Sequence, residues 1–172
     1  MSFFKNIKTE NIELKLPFLK DDGFEIFMKR EDLIHPIISG NKFRKLKYNI
    51  EKFKKNKNST LITFGGAYSN HLLAVSYIAK IENINTIAFV RGDELGVLPL
   101  NSTLQRCFDN GMKFKFISRE KYRFRNDSDF LKNLSSKYNN AFIIPEGGTN
   151  DLGILGCEEI LTLRDKNFFD VI

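Results

Sequence analysis

The stretch from Thr60 to His71 has the sequence TLITFGGAYSNH, and this stretch decides the fold. Five residues rich in β-branched and aromatic side chains predict a strand over Thr60–Phe64. Two glycines then permit a tight turn, and Ser69 begins a helical pattern that continues to about Lys80. A strand that passes directly into a helix is the unit from which parallel sheets are built.

The same alternation continues along the chain. Further strands are predicted over Thr86–Val90, Lys113–Ile117 and Ala141–Ile144. The intervening helices are predicted over Asn101–Asn110, with Gly111 at its C-terminal cap, and from Asp127 or Ser128 to Tyr138. Four strands alternating with three helices predict an α/β fold, a parallel sheet with helices on both faces.

The flanking segments carry weaker patterns. Upstream, Phe24–Lys29 is predicted as a strand and Lys42 to about Lys55 as an amphipathic helix, and downstream Leu152–Leu163 is predicted as a helix. The last six residues, Asn167–Ile172, have the composition of a strand. A terminus within a strand is unusual for this architecture, so we expect the chain to be incomplete.

The composition favours an ordinary folded domain. The chain has 172 residues, 42% of them hydrophobic, with no apolar run of the ~20 residues that a membrane helix requires. No apolar block marks a signal peptide, and Cys107 and Cys157 lack a metal-binding spacing. We therefore expect two reduced cysteines, no metal, no membrane association and a cytoplasmic protein.

Lys42 is the first candidate for chemistry, within Gly40-Asn41-Lys42-Phe43-Arg44-Lys45. A free lysine has a pKa of about 10.4, so its amine is almost fully protonated at neutral pH. Asn41 as an N-cap, the helix dipole, Lys45 and Arg44 would all lower that pKa, and an unprotonated amine forms Schiff bases. The alternative is a solvated lysine on a basic surface helix.

The second candidate is the turn Gly65-Gly66 with the polar residues Ser69, Asn70 and His71 behind it. Free backbone amides at a helix start bind anions, and ligands of open α/β sheets bind at the carboxyl edge of the strands. The alternative is an ordinary turn, with Ser69 as a helix cap and His71 as a surface residue.

Four motifs occur in order: KREDL at Lys29–Leu33, GNKFRKL at Gly40–Leu46, GGAYSNH at Gly65–His71, and PEGGTN at Pro145–Asn150, followed by Gly153 and Gly156. Together they resemble the pyridoxal-phosphate-dependent family of 1-aminocyclopropane-1-carboxylate deaminases and D-cysteine desulfhydrases. The resemblance implies the small domain of the tryptophan synthase β-like fold, formed by residues 47–150. Residues 1–46 and 151–172 would then belong to an incomplete large cofactor domain.

The resemblance also implies roles for single residues. Lys42 would hold pyridoxal 5'-phosphate as a Schiff base, and Asn70 would hydrogen-bond the phenolic oxygen of the cofactor. Ser69, Asn70 and His71 would bind the substrate carboxylate, and Ser69 would also act in proton transfer. The implied reaction is that of a lyase or hydrolase, in which a small amino acid loses ammonia and leaves a 2-keto acid. Tyr68 stands where many relatives carry glutamine, so the resemblance does not indicate which substrate is preferred.

The family's phosphate-binding loop and its partner for the pyridine nitrogen follow the strand that begins near Phe168, so the resemblance assigns no residue of this chain to them. We expect weak cofactor binding and little catalysis from this chain alone, and a homodimer for a full-length form. A non-catalytic product that folds only in part is one alternative. Another is a nucleic-acid-binding module, because eight Lys or Arg and a single acid lie between Lys42 and Lys57. A known nucleic-acid-binding motif is missing there, and we expect no nucleic acid partner.

Overall fold

The computed structural model describes residues 3–4, 7, 9–16, 18, 23–56 and 60–171. In these ranges the strands are β1 (Asn11–Leu14), β2 (Ile26–Lys29), β3 (Thr60–Gly65), β4 (Asn85–Arg91), β5 (Lys113–Ile117) and β6 (Phe142–Ile144). The helices are α1 (Asn41–Lys55), α2 (Asn70–Glu82), α3 (Ser102–Asp109), α4 (Arg119–Tyr122), α5 (Ser128–Lys137), α6 (Asp151–Cys157) and α7 (Leu163–Phe168).

The sheet predicted from the alternation is present. Its strand order is β5-β4-β3-β6, and every neighbouring pair is parallel. Because parallel strands end at one edge, the turns after Gly65, Arg91, Ile117 and Ile144 all lie at the carboxyl edge of the sheet.

Helices cover both faces of this sheet, as predicted. Along β3, Leu61 joins the core cluster that contains residues of α1, α2 and α3. Ile62 and Phe64, whose side chains are on the opposite face of the strand, join a second cluster that contains residues of α4 and α5. This alternation of side chains is the expected period of a strand that is buried on both faces.

The predicted helix caps are largely confirmed. Asp127 is the N-cap of α5, and its carboxylate accepts hydrogen bonds from the amides of Asp129 and Phe130. Asn101 caps α3, and Gly111 has the positive φ expected after a helix end. Residues 57–59, between α1 and β3, lie outside the described residues.

The two ends of the chain differ from the prediction. The predicted strand Phe24–Lys29 is shorter, as β2, and it pairs with the unpredicted β1 as an antiparallel hairpin. The predicted helix Leu152–Leu163 ends at Cys157, where α6 gives way to a 3-10 turn over Glu158–Ile160.

The predicted strand at Asn167–Ile172 is wrong: Asn167 and Phe168 belong to α7, and residues 169–171 form no strand. Ile172 lies outside the described residues. Thr162 and Asp165 form a capping box, in which each side chain binds the other residue's backbone amide. Asp165 also accepts from Lys29 Nζ at 2.8 Å and from Asn11 Nδ2 at 2.6 Å. The capping box and the bond to the hairpin favour a helix over the strand that the apolar residues alone predict.

Two glycines let α6 pack directly on α1 and on the turn before it. A Cβ atom on Gly156 would overlap the carbonyl oxygen of Arg44, and one on Gly153 would overlap the carbonyl oxygen of Gly148. Beside this contact, Asn49 and Asn150 exchange two amide hydrogen bonds of 3.1 and 2.9 Å, and Asn49 is fully buried. The backbone of α1 is thereby fixed against the PEGGTN segment.

We expect Gly156→Ala to destabilise the protein by about 1–3 kcal/mol, because the new methyl group meets backbone atoms that have no alternative rotamer. In a helix free of such contacts the same change is stabilising, so the sign of the effect tests the close approach. Urea unfolding followed by circular dichroism measures it. Leu155→Ala, at a half-exposed position of the same helix, is the control and should cost less.

We expect Asp165→Asn to cost about 2 kcal/mol of stability at pH 7 and progressively less below pH 4. The hydrogen bond and charge of Lys29 lower the pKa of Asp165 below its ordinary value. The stabilisation is therefore complete above the unfolded pKa and is lost as the pH falls towards the folded value. Urea unfolding at pH 7, 4 and 3 checks this. Asp129→Asn, at an exposed pair, should change little; an Asp165 effect that is independent of pH would contradict the prediction.

Candidate functional site

Two of the predicted site residues, Lys42 and Asn70, line one cavity of about 390 Å³. Lys42 comes from the first turn of α1, and Asn70 is the first residue of α2. The cavity is lined by two cations, three polar residues and three apolar residues, which are Lys42, Arg106, Ser39, Asn41, Asn70, Pro36, Ile37 and Leu73. Lys42 and Asn70, which are 28 residues apart in sequence, thus meet at one site.

The start of α1 differs in detail from the prediction. The N-cap is Gly40, with φ 57° and ψ −142°, and not Asn41. Only glycine adopts that backbone conformation without strain. Asn41 is the first helical residue, and its Oδ1 accepts a hydrogen bond from Lys42 Nζ at 3.0 Å. The lysine still lies at the positive end of the helix, as predicted.

The pKa of Lys42 is lowered from its ordinary value, chiefly because the side chain is half-buried and secondarily because Lys45 is nearby. The expected contribution of Arg44 is wrong. Arg44 lies two residues from Lys42, on another face of α1, where it is buried and pairs with both oxygens of Glu31 at 2.9 Å. Its positive charge is compensated there.

Ser69 is the N-cap of α2, and its hydroxyl oxygen accepts a hydrogen bond from the Leu72 amide at 3.2 Å. A hydroxyl that accepts keeps its own proton to donate. Asn70 is exposed to the cavity, and Tyr68 before it is 77% exposed. The ordinary capping role of Ser69 is therefore present, and its proton-transfer role stays a prediction.

His71 differs from its two neighbours because it is buried, with 3% exposure. Its Nε2 lies 2.8 Å from Thr63 Oγ1, and the Thr63 hydroxyl donates to the carbonyl oxygen of Ile144 at 2.9 Å. Thr63 has one proton and gives it to that carbonyl, so Nε2 of His71 carries the proton that Thr63 accepts. Burial, followed by the charges of Lys42 and Lys45, lowers the pKa of His71 to about 3.

The neutral ring of His71 therefore presents an unprotonated Nδ1, which is buried and has no hydrogen-bond partner among the described residues. Such a nitrogen accepts hydrogen bonds and does not donate them. The predicted contact of His71 with a substrate carboxylate requires a donor, and the one N–H of this ring is already engaged by Thr63. The sequence alone gives no sign of this relay, because Thr63 and Ile144 reach His71 only through the sheet register.

The PEGGTN segment contacts α1 one turn after Lys42. Lys45 Nζ donates to Thr149 Oγ1 at 3.0 Å, and Gly148 approaches the Lys45 side chain so closely that a Cβ there would lie 3.2 Å from it. Gly148 also has a φ of 70°. This segment therefore positions Lys45 and α1, a role that the sequence had left unassigned.

A second cavity of about 590 Å³ lies between the hairpin and α7, and none of the predicted site residues lines it. It is larger than the Lys42 cavity, but its central charges are already paired, as in Lys29–Asp165 and Arg44–Glu31. We therefore place the candidate site at the smaller cavity, which is lined by a lysine with a lowered pKa and by an arginine that has no ion pair within the described ranges.

The basic stretch that suggested nucleic acid is partly neutralised. Lys47 pairs with Glu159 at 2.6 Å and Lys54 pairs with Glu82 at 2.6 Å, in addition to the Arg44–Glu31 pair. In the described ranges, no helix has the length and hydropathy needed to cross a membrane. The same residues contain no group of three or more His, Cys, Asp or Glu side chains placed to hold a metal ion.

The fold and the site together define an α/β protein with a lysine-centred ligand cavity at the carboxyl edge of a parallel sheet. In sequence the chain is 34% identical over 148 residues to a putative 1-aminocyclopropane-1-carboxylate deaminase of Thermotoga maritima, covering 84% of this chain and 46% of that protein. It is 30% identical to a bifunctional D-cysteine desulfhydrase/1-aminocyclopropane-1-carboxylate deaminase of Arabidopsis thaliana, covering 88% of this chain and 42% of that protein. A D-cysteine desulfhydrase of Salmonella paratyphi A is 27% identical, with 86% and 50% covered.

Solved structures agree on the fold. An ACC deaminase homologue superposes with a TM-score of 0.72 at 22% identity, over 97% of this chain and 50% of that one. Maize serine racemase gives a TM-score of 0.60 at 15% identity, over 88% of this chain and 42% of that one. The shared architecture is the tryptophan synthase β-like fold. No model of a known protein family matches the chain.

The chain is thus similar in sequence to 1-aminocyclopropane-1-carboxylate deaminases and D-cysteine desulfhydrases, which confirms the resemblance of its motifs. It spans about half the length of the curated relatives that it matches. These relatives are named as deaminases and desulfhydrases, and their names do not support the predicted hydrolase class.

We expect nitrogen NMR to show His71 with a protonated Nε2 and an unprotonated Nδ1 throughout pH 5–8, because its pKa of about 3 lies well below that range. Thr63→Val should leave the Nε2 proton unpaired in the core and cost about 1–3 kcal/mol of stability. Thr103→Val, on α3, is the control. Titration of the His71 ring between pH 5 and 8 would contradict the assignment.

Proposed function

We propose that this chain is the lysine-bearing part of a pyridoxal-phosphate-dependent deaminase or desulfhydrase that releases ammonia and a 2-keto acid from a small amino acid. The single observation that carries the proposal is that Lys42, with its lowered pKa, shares a cavity with Asn70 in a chain 34% identical to a putative 1-aminocyclopropane-1-carboxylate deaminase.

The residues present fit two parts of the cofactor. A lysine whose amine is less basic than usual would hold the aldehyde carbon, and the Asn70 amide in the same cavity would donate to the ring oxygen. The phosphate and the ring nitrogen need further partners, to which no residue of this chain is assigned. When bound, pyridoxal phosphate supplies an electron sink for the α-carbon of the substrate.

The protein's own residues would provide the reactive amine and the proton donor. Lys42 spends part of the time unprotonated, because burial and Lys45 both disfavour its ammonium form, and the freed proton goes to solvent at the open cavity. The Ser69 hydroxyl accepts a hydrogen bond from the Leu72 amide and keeps its own proton, which it would donate in the proposed reaction. Lys45, held by Thr149, keeps a positive charge behind Lys42.

The substrate class follows from the relatives and from the size of the site. D-cysteine would yield pyruvate, sulfide and ammonia, and aminocyclopropane carboxylate would yield 2-oxobutyrate and ammonia. A cavity of about 390 Å³ is at the small end of ligand pockets and suits amino acids of this size. The exposed Tyr68 is the residue that would distinguish between the two.

In this proposal residues 47–150 form a small domain, and residues 1–46 and 151–172 contribute to a larger cofactor domain. A full-length form would be a cytoplasmic homodimer with a small amino acid as its partner, without nucleic acid or membrane. The ion pairs of two α1 lysines argue against the alternative function as a nucleic-acid-binding module. A non-catalytic product is the second candidate.

The test is to add pyridoxal phosphate to the chain, reduce with borohydride and locate the adduct by mass spectrometry. We expect yellow absorbance before reduction and a reduced adduct on Lys42 that Lys42→Ala abolishes. Lys52→Ala, at an exposed position of the same helix, should retain it. An intact fold without absorbance or adduct would overturn cofactor binding by this chain and favour the non-catalytic product.

A further inference from the structure

We propose that Arg106 is the anion-binding residue of the Lys42 cavity and receives the carboxylate of the substrate. This assignment rests on the proposed function and deepens it, because it replaces His71 with Arg106 in carboxylate recognition. Arg106 lies on α3, 64 residues after Lys42, and it is the only other cation that lines this cavity in the described part of the chain.

The cavity has an excess of positive charge. Lys42 and Arg106 both line it, and none of its lining residues in the described ranges is Asp or Glu. Lys42 lies in the first turn of the 15-residue α1 and Asn70 opens the 13-residue α2, so the positive ends of two helix dipoles also face it. A negatively charged ligand would relieve this repulsion.

Arg106 is available for such a ligand. Its side chain forms no ion pair or hydrogen bond within the described ranges, whereas the guanidinium groups of Arg44, Arg119 and Arg125 are paired with carboxylates. A guanidinium offers two parallel N–H donors that match the two oxygens of a carboxylate. Lys42, across the cavity, would react with a carbonyl group held by that contact.

His71 is poorly suited to the same task. It is buried, it does not line the cavity, and its protonated nitrogen is bound to Thr63. The lone pair on its Nδ1 would repel a carboxylate. Carboxylate binding is therefore expected from Arg106, together with the Asn70 amide and the free backbone amides at the start of α2.

The ligand class that follows is a small carboxylate with a carbonyl or amino group on the adjacent carbon. Glyoxylate is the simplest such aldehyde, and glycolaldehyde is a neutral aldehyde of the same size. In either case the Lys42 amine attacks the aldehyde carbon, water leaves and an imine forms. Sodium cyanoborohydride then delivers a hydride, and a proton from water completes a stable secondary amine.

The experiment presents both aldehydes to the intact chain in equal amounts with cyanoborohydride, and mass spectrometry gives the ratio of the two adducts on Lys42. We expect the wild type to favour glyoxylate by about tenfold or more, which corresponds to about 1.4 kcal/mol. Arg106→Gln should reduce that preference about tenfold without slowing the neutral aldehyde, and Arg106→Lys should be intermediate. Arg123→Gln removes the same charge from an exposed turn and should leave the ratio unchanged.

A second readout does not depend on the reactivity of Lys42. Titration with glycolate, an unreactive carboxylate of the same size, should shift the NMR signals of the Arg106 Nε–H and the Asn70 side-chain amide, and Arg106→Gln should abolish the Asn70 shift. If no aldehyde labels Lys42 but glycolate binds through Arg106, the proposed function fails and the anion site stands. If Lys42 is labelled but Arg106→Gln changes neither the ratio nor glycolate binding, the role of Arg106 is overturned.

Discussion

The position of α1 depends on a direct contact between the backbones of two helices. Gly156 of α6 lies against the carbonyl oxygen of Arg44, and the paired amides of Asn49 and Asn150 fix the register beside it. The opposite face of α1 places Phe43, Leu46 and Ile50 in the main core. A helix held on both sides cannot rotate, so its first turn presents Lys42 to the cavity and Arg44 to Glu31. The orientation of Lys42 thus depends on packing against α6, in which Gly156 lies 114 residues after Lys42 in sequence.

The same constraint explains an arrangement that does not favour stability. Lys42 and Arg106 line one cavity, and burial and the charge of Lys45 lower the pKa of Lys42, so an anion bound there would be stabilising. Elsewhere in the described structure most buried charges are paired, as Asp165 is with Lys29. Lys42 and Arg106, which have no ion-pair partner within the described ranges, line the cavity at the start of α2, and the carboxyl edge of the sheet is where a ligand of this fold binds. Function is the simplest reason to retain them there.

The sequence predicts those parts of the molecule whose determinants are local. Strands β3 to β6 follow from short apolar runs, and Asp127 and Asn101 mark helix starts because a cap acts on amides two or three residues away. The strand proposed near Phe168 fails because Asp165 is engaged by Lys29 and Asn11, which are more than 130 residues away in sequence. Lys42 and Asn70 are predictable as a pair only through the four motifs taken together. Arg106 is not, since its place depends on how α3 packs against α2.

His71 shows why a motif does not fix a mechanism. Ser-Asn-His suggests three donors in a row, yet the first residue of a helix faces outward and the second, about 100° further round, faces the sheet. Asn70 therefore lines the cavity while His71 reaches Thr63 in the core. The side chains that line the cavity in the described structure all come from residues 36–106, so anion recognition and amine reactivity belong to one contiguous part of the chain. Breaking a substrate bond also requires groups that hold the phosphate and the ring nitrogen. Carboxylate binding and bond breaking therefore depend on different groups, and the first can be measured without the second.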